Sequence, residues 1–259
     1  MQGTAVCFAG KKTGMENVTN ETGAPRYRRV LLKLSGEALA TGAEKGSIVN
    51  DAFVREVAGV IRRCVSMGVE VGVIVGAGNI WRGRQGKNMD AARADYMGML
   101  ATSINALALQ DAFMQEGLDA RVMTAFEIKE VGEYYTRDKA ISHLKKGRVV
   151  IFGCGLGTPF FSTDTAAAVR AAEIGADVIL MAKNIDGIYN ADPKLVPTAV
   201  RYDKISYRDI LSGGLHAIDS TATAFCMDAK IPLFVFSLSD AGNIYEAVMG
   251  RALGTTVAD

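Results

Sequence analysis

The sequence predicts a single α/β domain, a three-layer αβα sandwich around a mostly parallel central sheet. Three observations predict it. Short apolar runs alternate with stretches of helical periodicity from residue 29 to the end. Those runs show little polar alternation, as strands covered by helices on both faces require. Glycine-rich segments follow several of the runs, where loops at the carboxyl ends of strands form ligand sites.

The elements follow in order. Arg29–Ser35 (RVLLKLS) reads as a strand and Val69–Val75 (VEVGVIV) as a second. Between them Phe53, Val57, Val60, Ile61 and Cys64 recur on one helical face. Asn50 or Asp51 can cap the start of that helix and Gly68 can end it, completing a βαβ unit. A long helix is expected over roughly Met89–Glu116, then an extended segment at Ala120–Thr124. Arg137–Lys146 reads as helix, Val149–Gly153 as strand, Thr163–Ile174 as helix and Asp177–Ala182 as strand. A helix near Asp219–Ala229, a strand at Pro232–Ser237 and a helix over Ala241–Met249 close the alternation.

The 259 residues suit one domain or two at about 150 residues each. No Pro/Gly/Ser linker divides the body, so one domain is expected over 29–259, after a flexible tail over 1–28. Apolar residues make up 49% and charged residues 22%, which excludes wholesale disorder. Lys plus Arg is 29 against 28 for Asp plus Glu, without the basic excess that a nucleic-acid footprint needs. No apolar window is long enough for a membrane span, and the tail lacks the apolar core of a secretory signal. Cys7, Cys64, Cys154 and Cys226 are scattered without a CxxC pair or a nearby histidine. No protein metal site is expected, and the compartment is expected to be the reducing cytoplasm.

Three segments carry chemistry. Lys33 lies in an otherwise apolar strand ahead of Leu34, Ser35 and Gly36. A buried ammonium demands an anionic companion, and Gly36 allows a tight turn that presents N–H groups to a phosphate. A lysine that snorkels from the strand end to water is the competing reading. The second segment, Gly76-Ala77-Gly78-Asn79 with Arg82 close behind, offers backbone donors, an approaching helix start and a forked cation to an anion. A plain tight turn would show the same residues. It is not the dinucleotide fingerprint, because Gly83 comes too late. The third, Gly153 to Asp164, combines glycines with helix-capping Ser162, Thr163 and Asp164, while Phe160 and Phe161 either wall a base or fill the core. Gly10-Lys11-Lys12-Thr13 resembles the end of a P-loop but lacks its first glycine and its preceding strand. His143 and His216 lack companions at triad or ligand spacing and read as surface or packing residues.

Five segments in order (KLSGEAL at 33–39, GAGNIWRG at 76–83, ADYMGMLAT at 94–102, GTPFFSTDTAA from Gly157 and IDGIYNADP at 185–193) resemble the bacterial UMP kinases of the amino acid kinase superfamily. ADYMGMLAT and PFFSTD point to UMP kinases rather than to carbamate, acetylglutamate or aspartate kinases. The resemblance implies transfer of the γ-phosphoryl group of ATP to UMP, with Mg²⁺. It implies that Lys33, Leu34, Ser35 and Gly36 form the ATP-phosphate loop, with Lys33 stabilising the transferring group. Gly78 and Arg82 look like further ATP-phosphate contacts, and Asp164 looks like a group that orients the cations, so Lys33, Arg82 and Asp164 are the implied catalytic set. Tyr189, Asp192 and one or both of Lys183 and Asn184 fall where the family holds the adenine nucleotide. Ala77 and Asp95 are similar in position to UMP contacts, and the loop Leu156, Gly157, Thr158, Pro159, Phe160, Phe161, Ser162 and Thr163 resembles the one holding uracil and the UMP phosphate. Where some members have Thr-Gly-Asn-Pro, this chain has Leu156-Gly157-Thr158-Pro159. The base must then be read by backbone groups and by Thr158 or Thr163. The resemblance further implies a homohexamer with GTP as activator and UTP as inhibitor, the segment Ala43–Val49 matching the GTP-responsive region.

Overall fold

The structure is a computed structural model that describes residues 23–82, 86, 88–215 and 217–259. Cys7, the segment Gly10–Thr13, Gly83, His216 and most of the expected tail lie outside the described residues. Of the 1–28 segment, Arg26 donates its N–H to the Val248 carbonyl at 3.1 Å. The Arg28 N–H is held by the Asp177 carboxylate at 2.8 Å.

The chain runs β1 (Arg29–Leu34), α1 (Gly36–Ala40), α2 (Asp51–Ser66), β2 (Glu70–Val75), α3 (Ala91–Gln115), β3 (Ala120–Thr124), β4 (Glu133–Tyr134), α4 (Arg137–Lys145) and β5 (Val149–Gly153). It continues through α5 (Thr163–Ile174), β6 (Val178–Lys183), β7 (Lys204–Ile205), α6 (Tyr207–Ser212), α7 (Ser220–Ala229), β8 (Leu233–Ser237), α8 (Gly242–Val248) and β9 (Thr255–Val257). Among the described residues the strands form one nine-stranded sheet in the order β4-β3-β5-β2-β1-β6-β8-β9-β7. Every pairing is parallel except β8 with β9.

Strand periodicity divides the core. Val30, Leu32 and Leu34 pack with Val71, Val73 and Val75 against α2, α3 and α8. Leu31, Ile74, Val150, Phe152, Ile179 and Met181 pack against α4, α5, α6 and α7. Side chains alternate faces along a strand, so the six strands β3, β5, β2, β1, β6 and β8 each feed both layers. This is the predicted three-layer sandwich. α2 buries Val54, Val57, Ala58, Ile61 and Cys64, and the Asn50 side chain accepts the Phe53 N–H at 3.2 Å as its cap. α5 ends on Gly175 in the left-handed conformation, φ 66°, the usual stop for a helix with free carbonyls.

The same alternation places the chemistry. Lys33 shares its face with Leu31, and Lys183 shares its face with Ile179 and Met181, so both point toward the layer of α5. In the parallel register of β1 and β6, Lys33 lies opposite Met181 and Leu34 opposite Ala182. The two lysines therefore sit diagonally across neighbouring strands at their carboxyl ends.

Candidate active site

Asp164 stands in the first turn of α5, where the helix dipole favours a negative charge. Its Oδ1 is 2.8 Å from Lys33 Nζ and its Oδ2 is 3.0 Å from Lys183 Nζ. The exposed fractions of the three side chains are 12%, 17% and 14% for Lys33, Lys183 and Asp164. Burial alone would raise the Asp164 pKa, but the two ammoniums outweigh it and hold the carboxyl well below the usual carboxylate range. Burial pushes the Lys183 ammonium down and Lys33 adds to this, while Asp164 opposes both. Lys33, Lys183 and Asp164 together carry one positive charge in excess at the strand ends, with the Asp219 carboxylate acting on Lys183 from the start of α7. The anionic companion that Lys33 required is supplied from within the chain by Asp164.

Lys183 also donates to the carbonyl of Ala217, just ahead of α7. Asp219, the cap of α7, accepts the Ala222 N–H at 2.8 Å. The same carboxylate accepts the Ser162 hydroxyl at 2.5 Å and the Thr165 hydroxyl at 3.1 Å. The starts of α5 and α7 are therefore fastened together beside the lysines. Nothing in the sequence joined Asp219 to Ser162. The sequence placed Asp219 only at the start of a helix.

The glycine loops meet backbone to backbone. A Cβ at Gly36 would lie 2.4 Å from the Gly76 carbonyl oxygen and 2.4 Å from Asn79 Oδ1, so no side chain fits there. The contact is braced from α3, whose buried Asn105 donates to the Gly76 carbonyl and to Asn79 Oδ1, each at 2.8 Å. Asn79 in turn donates to the Ile48 carbonyl at 2.7 Å, which ties the Ala43–Val49 loop to the same place. Gly36 opens α1, whose first-turn N–H groups have no partner within the helix. No helix follows Gly78 directly, contrary to the expected approaching helix start. Residues 78–80 form a turn, and α3 begins only at Ala91 under the Asp90 cap.

Lys33 pairs with Asp164 in α5. Arg82 pairs with Glu37 in α1, beside Gly78, where an added Cβ would sit 3.4 Å from Arg82 Nε. Ser35 precedes α1 without a side-chain capping bond, and Ala77 is buried.

The third loop joins β5 to α5. Leu156 packs its side chain on the core beneath α5, Thr158 is exposed, and Phe160 and Phe161 are 76% and 50% exposed. The phenylalanines therefore do not fill the core. Asp95, near the start of α3, accepts the Phe160 N–H at 2.8 Å. The Thr163 hydroxyl oxygen would lie 4.0 Å from a Cβ on Gly76, bringing this loop against the second glycine segment. Cys154 is fully buried, its N–H donates to Thr102 Oγ1 at 2.8 Å, and its Sγ is 3.0 Å from Ser103 Oγ. Burial pushes the Cys154 thiol pKa up. Thr102, Ser103 and Asn105 were missed by sequence reasoning, although polar residues inside an apolar helix signal bonded partners.

The remaining nucleotide candidates spread along the sheet end. Asn184 is exposed and lines a cavity of about 310 Å³ with Thr41, Phe53 and Ser237–Ser239. Tyr189 donates its hydroxyl to Asp186 at 2.8 Å and bridges to Arg201, and Asp192 accepts the Lys194 N–H at 2.9 Å. Of the Lys183–Asn184 pair, the lysine joins the charged cluster and the asparagine faces outward. His143 lies 3.2 Å from the Glu133 carboxylate at α4, a packing position.

The profile of the Amino acid kinase family matches residues 28–237. A UMP kinase from Bacillus anthracis is 36% identical over 90% of this chain and 96% of its own, with a TM-score of 0.86. A UMP kinase from Ureaplasma parvum is 34% identical over 90% of this chain and 100% of its own, with a TM-score of 0.85. A uridylate kinase from Archaeoglobus fulgidus is 32% identical over 88% and 99%, with a TM-score of 0.67.

Proposed function

The chain belongs to the amino acid kinase family, and from that premise we propose that it is a UMP kinase, a nucleoside monophosphate kinase converting ATP and UMP to ADP and UDP. The observation that carries this reading is the Lys33–Asp164–Lys183 cluster beside the Gly36–Gly76 contact. Phosphoryl transfer spreads charge over the equatorial oxygens of a loose transition state, so placed cations and N–H groups do most of the work. A phosphate oxygen of UMP, already ionised near neutral pH, attacks the γ-phosphorus in line. The bond from that phosphorus to the β–γ bridging oxygen breaks, and ADP leaves. No general base and no phospho-enzyme are needed.

In this reading Lys33 and Lys183 stabilise the transferring group, Asp164 fixes both, and Arg82, Gly78 and the Lys33–Gly36 turn hold the ATP phosphates. Tyr189, Asp192 and Asn184 take the adenine nucleotide. Ala77, Asp95 and the 156–163 loop take UMP, with the base read by backbone groups and Thr158 or Thr163. Both Asp164 oxygens are engaged by lysines and Asp219 by hydroxyls and an N–H. With these oxygens engaged, a Mg²⁺ arriving with ATP would take its ligands from phosphate oxygens and water and would supply charge neutralisation there.

We extend the proposal to a cytoplasmic homohexamer, activated by GTP and inhibited by UTP. Self-association is supported by Met97, Leu100, Ile104 and Leu107, which stand 39%, 48%, 46% and 40% exposed along α3. No described helix is long and apolar enough to cross a membrane. A substrate panel with Mg-ATP tests the reaction: nucleoside monophosphates, acetylglutamate, aspartate and carbamate. UDP from UMP is expected. Turnover of an amino acid or carbamate instead would overturn it, as would calorimetric binding of ATP and UMP without product. GTP and UTP titrations and sedimentation test the regulatory and assembly parts.

A further inference from the structure

We infer that Thr102 and Ser103 are positioning residues for the β5–α5 loop, acting through Cys154 to set its affinity for the phosphoryl acceptor. The inference rests on the UMP kinase reading for the identity of that acceptor. Three non-glycine residues among those described have positive φ: Cys154 at 62°, Phe160 at 72° and Lys230 at 54°. Lys230 is the C-cap of α7, an ordinary place for a left-handed residue. Of the other two, Cys154 stands just before the loop expected to hold UMP and Phe160 lies within it, and such outliers persist only where surroundings over-determine them.

Both are held from one face of α3, and the Cys154 thiol is met as well by the backbone of Ala125 and Phe126. Cys154 is gripped by Thr102 and Ser103, and Phe160 by Asp95. Positions 95, 102 and 103 are seven and eight residues apart, hence on one side of a helix. Thr102 donates its own hydroxyl hydrogen to the Met99 carbonyl at 2.6 Å, which turns a lone pair toward the Cys154 N–H. Thr102 and Ser103 are each 5% exposed and Cys154 is 0% exposed, so water does not compete for these bonds. Without the Thr102 oxygen the Cys154 N–H is a buried orphan, and its residue can return to negative φ. That rotation swings the loop running from 155 to 162. The groups assigned to ATP on β1, α1 and β6 are fixed separately, by Asp164 and by the Gly36–Gly76 contact.

The test is a steady-state comparison of Thr102→Val, Thr102→Ser, Cys154→Gly and the double variant Thr102→Val/Cys154→Gly. Thr102→Val is expected to raise the KM for UMP by about tenfold or more while the KM for ATP stays within about twofold. Thr102→Ser keeps the acceptor oxygen and should stay within about threefold of wild type for both substrates. Glycine adopts a positive φ unaided, so Cys154→Gly should recover most of the UMP affinity lost by Thr102→Val. Equal changes in both KM values, no change in either, or no recovery in the double variant would overturn the inference. Should Thr102→Val fail to fold, Ser103→Ala is read in the same way, with a selective rise in the UMP KM required. Amide hydrogen exchange at Cys154 and Phe160 reads the clamp without turnover, with protection expected in wild type and Thr102→Ser and lost in Thr102→Val. A wild-type enzyme that makes no UDP yet shows this exchange pattern would refute the acceptor assignment and leave the clamp standing.

Discussion

Replacing Asp164 by asparagine removes one charge and keeps the shape. The two ammoniums lie 2.8 and 3.0 Å from opposite oxygens of the carboxylate. Once it is neutral they face each other across it. Two unit charges about 6 Å apart repel by about 3 kcal/mol at an effective dielectric near 20, in line with the roughly 3–5 kcal/mol lost when one partner of a buried pair is removed. At about 2–4 °C per kcal/mol for a chain of this size, the melting temperature should fall by about 6–12 °C. On the proposed function ATP brings negative charge to the same place, so its addition should raise the variant's melting temperature more than that of wild type. Turnover should fall by about a hundredfold or more, because lysines no longer fixed leave the γ-phosphoryl group misplaced. Thermal melts with and without Mg-ATP, and a coupled assay for UDP, read these quantities. A variant melting within about 2 °C of wild type with turnover reduced less than about threefold would refute the claim that this carboxylate organises the lysines.

Lys33→Ala is expected to lower kcat by about three orders of magnitude or more, with unchanged circular dichroism, as checked by the UDP assay. Gly36→Ala forces a Cβ to 2.4 Å from the Gly76 carbonyl and should cost about 1–3 kcal/mol of stability, with a weaker ATP affinity seen by calorimetry. The Asp164 carboxyl is held below its unfolded value, near 3.9, so the unfolded chain binds more protons there and stability rises with pH. That contribution is complete above about pH 5 and is lost as pH falls through the folded-state value. Asp164→Asn should therefore show a shallower loss of stability than wild type under acidification, followed by urea melts. Tyr207 is buried and donates its hydroxyl to the Ile231 carbonyl. Tyr207→Phe should cost about 1–3 kcal/mol and leave kcat unchanged.

The central strands were legible because burial on both faces leaves a continuous apolar run, as in Glu70–Val75, where every residue is buried. Helix ends were legible where a cap is chemical, such as Asn50 before α2. The short pieces were not. β4, β7 and β9 have two or three residues each, and their pairing is set by what lies beside them. The antiparallel turn of β9 onto β8 likewise has no local signature. At the site, a lysine in an apolar strand announced the need for an anion, and the UMP kinase resemblance suggested Asp164 as the orienting group. Lys183 and Asp219 joined the cluster through strand register and helix placement, which a linear reading lacks. Arg82 was assigned by proximity along the chain to the glycine turn, and its engagement with Glu37 depends on where α1 settles.

The touch of Gly36 on Gly76 divides the protein's capacity for change. At Gly36 any side chain collides with main chain, so that position is closed to variation. The neighbouring loop shows its phenylalanines and Thr158 to solvent, where residues can be exchanged without disturbing a core. Attempts to retarget this scaffold to other acceptors should therefore diversify that loop and leave the glycine seam alone.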